Sequence, residues 1–156
     1  MTEKNKMDIK IIRTNSENKD FIKLIKDLDA YLKITDEDEH DFYNQFNNID
    51  VLKEVVVIYV AEVAVGCGAI KKFDDSTVEV KRMFVASGNR GTGVAQKILQ
   101  ELETCAKELG YKKCILETGV RQIEAVKFYK KGAYKIIPNY GQYQGMENSI
   151  CFEKKI

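Results

Sequence analysis

Proline and histidine are almost missing from this chain: each occurs once, at Pro138 and His40. A single proline excludes a proline-rich linker, and 44% hydrophobic with 31% charged residues over 156 positions is the composition of one compact domain. Metal-binding spacing is also missing. Cys67, Cys105, Cys114 and Cys151 stand 38, 9 and 37 positions apart and form no C-x-x-C, so with one histidine no metal site is expected. No apolar run nears the ~18 residues of a membrane span, and MTEKNKMDIK lacks the apolar core and cleavage site of a leader. The expected compartment is a reducing cytoplasm with free thiols, Cys67 and Cys151 among the buried ones. Charge of one sign is not in excess either. Lys plus Arg number 25 against 24 Asp plus Glu, which removes the electrostatic case for a nucleic-acid or membrane partner. The spread is uneven, because 10 basic and 5 acidic residues follow from Lys107 onward and 15 and 19 precede it. The C-terminal part favours anions.

What is present is an alternation of strand and helix patterns. DIKIIR (8–13) reads as a strand, and Ser16 or Asn18 caps a helix with Phe21, Leu24, Ile25, Leu28 and Leu32 at helical spacing. The polar, acidic stretch ITDEDEHDFYNQFNNID suits a short second helix and loops. From about 54 to 85 the period becomes two: Val55–Val60 and Val63–Ile70 flank a break at Ala61 and Glu62 short enough for a hairpin, and Asp74, Asp75 and Ser76 form a second turn. In TVEVKRMFV the apolar phase slips at Lys81 and Arg82, as a bulge requires, although Phe84 keeps the original phase of a regular strand with charges on one face. Residues 93–109 form the strongest helix, with Val94, Ala95, Ile98, Leu99, Leu102, Cys105, Ala106 and Leu109 on one stripe and Gly110 at its end. A strand at 113–118, a helix at 122–131 closed by Gly132, a strand at 134–137 and a last strand at 149–153 follow. A mixed α/β sheet is expected.

The segment richest in chemical meaning is VASGNRGTGVAQKIL (85–99), where a strand enters a glycine-bearing loop and then the long helix. Gly88, Gly91 and Gly93 let successive N–H groups converge, and the first helical turn adds unpaired N–H groups and positive dipole potential. A pyrophosphate suits such a place, with Arg90 and Thr92 at its rim. No G-K-[ST] follows, so this is not a P-loop, and it is not a full G-x-G-x-x-G either. It matches R-x-x-G-x-[GA] at Arg90, Gly93 and Ala95. The glycines alone equally fit a tight strand-to-helix turn.

VEVKRMFV followed by RGTGVAQKILQELETCAKELGYKKCILET, and then RQIEAVKFYKKGAYKII, resembles the GNAT superfamily of acyl-CoA N-acyltransferases over roughly residues 54–137. The resemblance implies an α/β (α+β) fold with a central mixed, mostly antiparallel sheet flanked by helices. It implies one N-acetyltransferase domain over 1–156: a variable acceptor-side region (1–53), an acetyl-CoA-binding core (54–137) and a C-terminal strand region (138–156). Acetyl-CoA is the implied cosubstrate, with no metal. Met83, Phe84 and Val85 would offer backbone groups to the pantetheine arm, and Arg90, Gly91, Thr92, Gly93, Val94 and Ala95 would hold the pyrophosphate. Gln122 stands where many members have an Asn that contacts the cofactor.

Acyl transfer to an amine needs a neutral nucleophile, a polarised carbonyl and a proton for the departing thiolate. Alkyl amines with pKa near ~10.4 are mostly protonated at pH 7, so a base is required. Glu79, before the loop, is the candidate base, its alternative being a solvent-facing strand carboxylate. Backbone N–H groups at the bulge suit the developing negative charge. Tyr129, in FYKKGAY, occupies the family's position for the acid that protonates the thiolate, its alternative being a core tyrosine. His40 and the cluster Asp36, Glu37, Asp38, Glu39 and Asp41 read as a solvated face, or as an attractant for a cationic amine beside the acceptor pocket. Tyr140, Gly141 and Tyr143 form either a hairpin loop or an acceptor-side turn. The expected activity is transfer of an acetyl group to a primary amine of a small molecule in a ternary complex. Acetylation of a protein N-terminus or lysine, and a non-catalytic acyl-CoA sensor, are the alternatives. A homodimer is left open.

Overall fold

Two long hairpins begin the sheet, because β-branched runs alternate with two-residue breaks. In the computed structural model, which describes residues 8–36 and 52–156, β1 is Ile9–Thr14, β2 Glu54–Val60, β3 Val63–Asp74 and β4 Thr77–Val85. Val60 pairs with Val63 across Ala61 and Glu62, both at positive φ (50° and 68°), the twist that a two-residue hairpin demands even of residues other than glycine. Asp74 pairs with Thr77, and Asp74 Oδ1 accepts the Ser76 N–H at 2.9 Å. Between β1 and β2, α1 (Lys19–Asp36) is capped by Asn18, whose Oδ1 accepts the Phe21 N–H at 2.9 Å. The second helix expected around Phe42–Phe46, His40 and the acidic residues after Asp36 lie outside the described residues.

The second half alternates as read: α2 (Val94–Glu108), β5 (Lys113–Gly119), α3 (Ile123–Lys131), β6 (Lys135–Ile137) and β7 (Ser149–Lys155). The seven strands form one sheet in the order β1-β2-β3-β4-β5-β7-β6, antiparallel throughout except for β4 beside β5. That parallel step needs a crossover, and α2 is the crossover.

Helices cover both faces, so β2 buries every second residue each way. Val55 and Val57, with Cys67 and Ala69 of β3, meet Phe21, Leu24 and Ile25 of α1. Val56 and Ile58 face the other side, with Ile98, Leu99 and Leu102 of α2 and Tyr129 of α3. The close seat of α2 depends on two glycines of β3. A Cβ on Gly68 would lie 2.8 Å from Leu102 Cδ1 and 2.9 Å from Ile98 Cγ2, and one on Gly66 2.8 Å from Ile98 Cδ1. Leu109 departs from the expected stripe: it caps α2 and is 54% exposed, because the chain turns at Gly110 (φ +94°) before the side chain reaches the sheet. Leu32 is only half-buried, since α1 overhangs the sheet there.

Candidate active site

On its β5 side, β4 is paired only through Thr77, Val78 and Glu79, which face Lys113, Cys114 and Ile115. β5 runs on beside β7 as far as Gly119, whereas β4 turns away. The cause is local. Between the pairs Ala69/Lys81 and Cys67/Phe84 the register takes two steps on β3 and three on β4, and Arg82 sits at φ +59°. This is a bulge, the first of the two readings of TVEVKRMFV, and it bends β4 outward. A fork opens between the strands. Its cleft has a volume of about 130 Å³, with Glu79, Lys81 and Met83 on one wall, Glu117 and Thr118 on the other, and Tyr129 of α3 across the floor.

Glu79 occupies the last paired rung, at the apex of the fork. It is 7% exposed, so the solvent-facing reading of this carboxylate fails: β4 is buried on both faces. Tyr140 donates its hydroxyl to Glu79 Oε2 at 2.6 Å, and Lys81 Nζ lies 3.8 Å from Oε1. The ring of Tyr140 packs edge-on against Phe73 and Tyr143, which fixes the direction of that hydroxyl. Tyr129 is 6% exposed and lies among Phe128, Tyr134 and Phe152. Burial alone raises its pKa above the ordinary tyrosine value, so it keeps its proton at neutral pH. It is a core tyrosine, as the alternative reading had it, and it also lines the cleft.

The glycine loop lies at the open end of the fork. Gly91 (φ +76°) and Gly93 (φ +85°) adopt the left-handed backbone, and neither would bring a Cβ within 4 Å of another atom, so the loop is open where those side chains would stand. The first α2 bond is donated by the Lys97 N–H to the Gly93 carbonyl, which leaves the N–H groups of Val94, Ala95 and Gln96 without a helical acceptor. Such N–H groups at a helix start can receive an anion. Two details differ from expectation. Gly88 lies in a short 3-10 turn (Ser87–Asn89) with no positive φ, so it adds no convergence of its own. Thr92 donates its hydroxyl to the Asn89 carbonyl, closing the loop on itself. Arg90 donates from Nε to the Val85 carbonyl at 3.1 Å and lies over the rings of Tyr31 and Phe84, which ties the loop to the end of β4. Gln122 caps α3 with its backbone and borders the cleft.

Sequence reasoning missed Lys81, Arg82 and Thr118. Lys81 and Arg82 are each 8% exposed, and Arg82 Nη1 pairs with Asp29 Oδ1 of α1 at 2.6 Å. Two adjacent charges in a strand alternating with Val78, Val80, Met83 and Val85 were the available signal, since side chains alternate and at least one of the two must point inward. Thr118 Oγ1 is buried without a hydrogen-bond partner among the described residues. Also among the described residues, no group of three His, Cys, Asp or Glu is arranged to hold a metal, and no helix is long and apolar enough to cross a membrane.

Comparison with known proteins follows the same lines. The model of the acetyltransferase (GNAT) family matches residues 21–133. An IAA acetyltransferase of Azospirillum brasilense is 29% identical over 144 residues, 86% of this chain and 90% of that protein. YsnE, an uncharacterized N-acetyltransferase of Bacillus subtilis, is 32% identical over 58% of this chain and 62% of its own length. Among solved structures, a Klebsiella pneumoniae protein assigned as an acyl-CoA N-acyltransferase superposes with a TM-score of 0.79 at 27% identity, over 94% of this chain and 97% of that one. A GNAT acetyltransferase of Elizabethkingia anophelis, solved with acetyl-CoA bound, shares the fold with a TM-score of 0.70 at 18% identity, over 96% of this chain and 99% of that one.

Proposed function

Since the chain belongs to the acetyltransferase (GNAT) family and is an acetyl-CoA-dependent acyltransferase, we propose that it transfers an acetyl group directly to the primary amine of a small molecule within a ternary complex. The observation that carries this reading is the fork. A buried carboxylate stands at its apex, and a buried, protonated tyrosine of α3 lines the same cleft. Bound acetyl-CoA supplies an electrophilic thioester carbon. Everything else is asked of the protein.

The loop residues Arg90, Gly91, Thr92, Gly93, Val94 and Ala95 hold the pyrophosphate, chiefly through backbone N–H groups at the start of α2. Met83, Phe84 and Val85 lie beyond the last β4–β5 rung, so their backbone groups on that side, apart from the Val85 carbonyl that Arg90 Nε holds, are open to the pantetheine arm and to the charge growing on the carbonyl oxygen. Gln122 borders the same channel. Glu79 takes the proton from the acceptor ammonium, directly or through a water, while Tyr140 holds its second oxygen. Tyr129 returns a proton to the departing sulfur.

Tyr129→Phe and Glu79→Gln test these roles. Each is expected to lower kcat by ~10²–10⁴, the usual contribution of a positioned acid or base, while acetyl-CoA still raises Tm as in the wild type. Thiol release followed with a chromogenic reagent reads the first quantity. Full amine-dependent activity in both variants would remove the acid and base assignments, and absence of any Tm shift with acetyl-CoA or CoA would remove the loop assignment.

A further inference from the structure

Between Ile137, where the pairing of β6 with β7 ends, and Ser149, where β7 begins, residues 138–148 form a loop. Pro138 has no N–H with which to continue the ladder, so the loop has to be held by other bonds. It carries the Tyr140 hydroxyl, which Glu79 Oε2 accepts at 2.6 Å. Burial first, and then the neighbouring Glu79 charge, raises the Tyr140 pKa above the ordinary tyrosine value, so this hydroxyl keeps its proton and stays a donor. Ring packing on Phe73 and Tyr143 restrains the side chain of Tyr140 but not the backbone that bears it. The residue before it supplies that restraint. Asn139 is half-buried, and its Nδ2 donates to the Tyr143 carbonyl at 3.1 Å and to the Met146 carbonyl at 2.9 Å. Both acceptors are carbonyls, so only the nitrogen end of the carboxamide can face them. The Tyr143 N–H is donated in turn to the Tyr140 carbonyl at 2.9 Å, across the 3-10 turn Gly141–Tyr143. Asn139 thus ties the entry of the loop to its exit, with Tyr140 inside the closed ring.

Resting on the reading of Glu79 as the base, we infer that Asn139 is a positioning residue for the reaction: its carboxamide sets the loop so that the Tyr140 hydroxyl meets and holds the Glu79 carboxylate. Asn139 is not among the described residues that line the cleft, so its effect on turnover passes through Tyr140. A carboxamide is what the position needs. A serine hydroxyl can donate to only one of the two carbonyls, and an ionised aspartate can donate to neither. Each of those carbonyls also accepts a backbone N–H, from Met146 and from Ser149, so Asn139→Ala leaves neither acceptor empty and the chain is expected to fold.

The test has two readouts on the full chain, and the first needs no acceptor and decides by itself. With tyrosine labelled at the ring carbon that bears the hydroxyl, the Tyr140 resonance is identified by its absence from Tyr140→Phe, and its displacement in Glu79→Gln registers the hydrogen bond. Asn139→Ala is expected to displace it in the same direction; a resonance unmoved from the wild type overturns the inference. The second readout is thiol release at saturating acetyl-CoA with the fastest member of a panel of primary alkylamines. Asn139→Ala is expected to lower kcat/KM for the amine by ~3–30-fold, no further than Tyr140→Phe does, and to add almost nothing in the Tyr140→Phe background. The acetyl-CoA dissociation constant should stay unchanged. Equal losses in both backgrounds would mark a merely structural effect and overturn the inference. Asn139→Ser, which keeps one donor, is expected to fall between the wild type and Asn139→Ala, and it carries both readouts if Asn139→Ala does not fold. Full activity in Glu79→Gln would instead remove the base reading on which the inference rests.

Discussion

Adding one methyl group at Gly68 tests how α2 is seated on the sheet. The new Cβ would lie 2.6 Å from Met83 Sδ, 2.8 Å from Leu102 Cδ1 and 2.9 Å from Ile98 Cγ2. Met83 is half-buried and flexible enough to retreat, but Leu102 and Ile98 are fully buried and have no space behind them. Overpacking of this kind costs ~1–3 kcal/mol, and three simultaneous contacts put Gly68→Ala near the upper end. Restricting the unfolded chain returns ~0.4–1 kcal/mol, for a net loss of ~2 kcal/mol. At ~2–4 °C per kcal/mol for a chain of this size, Tm falls by ~4–8 °C, read by calorimetry or circular dichroism. Gly91→Ala is the control, because its Cβ would meet nothing within 4 Å and only the φ of +76° is strained, at ~1–2 kcal/mol. Coupling decides between packing and conformation. Met83→Ala removes the nearest obstacle and should recover ~0.5 kcal/mol or more in Gly68→Ala and nothing in Gly91→Ala. A Gly68→Ala protein melting within a degree of the wild type, or a double variant whose losses simply add, would refute the packing argument.

The buried thiols give a pH dependence with a definite sign. Burial pushes Cys67 from 9.0 up to about 12, and Cys114 and Cys151 up to about 11. The folded protein thus holds protons that the unfolded chain releases, so this contribution is complete below pH 9 and is lost as pH rises toward 11–12. Denaturation midpoints should fall steeply over that window, and Cys67→Ala should flatten the fall; an unchanged slope would contradict the assignment. The same thiols should resist a disulfide reagent at pH 8 until the chain is unfolded. For Tyr140→Phe, loss of a charge-assisted hydrogen bond worth ~1.5–3 kcal/mol should reduce kcat/KM by ~10–100-fold without changing the acetyl-CoA dissociation constant. Unaltered kcat/KM would mean that Glu79 needs no such positioning.

Most elements could be read from period and punctuation. The switch from period two to period 3.6 at Gly93, the hairpin at Ala61–Glu62 and the capping Asn18 are local signals, set by residues within one turn of each other. The glycine loop was legible for the same reason. The slip in TVEVKRMFV could indicate a bulge but could not show that β4 leaves β5 there, since that depends on strands separated by all of α2. Pairing between distant residues left no local trace: Tyr140 on Glu79 spans 61 positions, and Arg82 on Asp29 spans 53. That Lys81 and Thr118 line the cleft could be seen only once β4 and β5 stood side by side. Leu109 was misjudged because helical periodicity gives a direction and not a distance to the sheet.

The fork also divides the sheet mechanically. Strands β1 to β4 make one four-stranded block and β5, β7 and β6 a three-stranded block, each with its own ladder, and among the described residues only the three rungs from Thr77 to Glu79 join the two strand to strand. The expected consequence is that the amides on either side of the seam exchange at different rates, although one apolar core is shared beneath both blocks. A molecule wedged in the gap touches both blocks at once and so acts as a rivet. Occupancy and stiffness then become a single variable: amide exchange in β4 and β5 slows when the gap is filled, and any substitution that loosens the seam weakens binding without touching a contact residue.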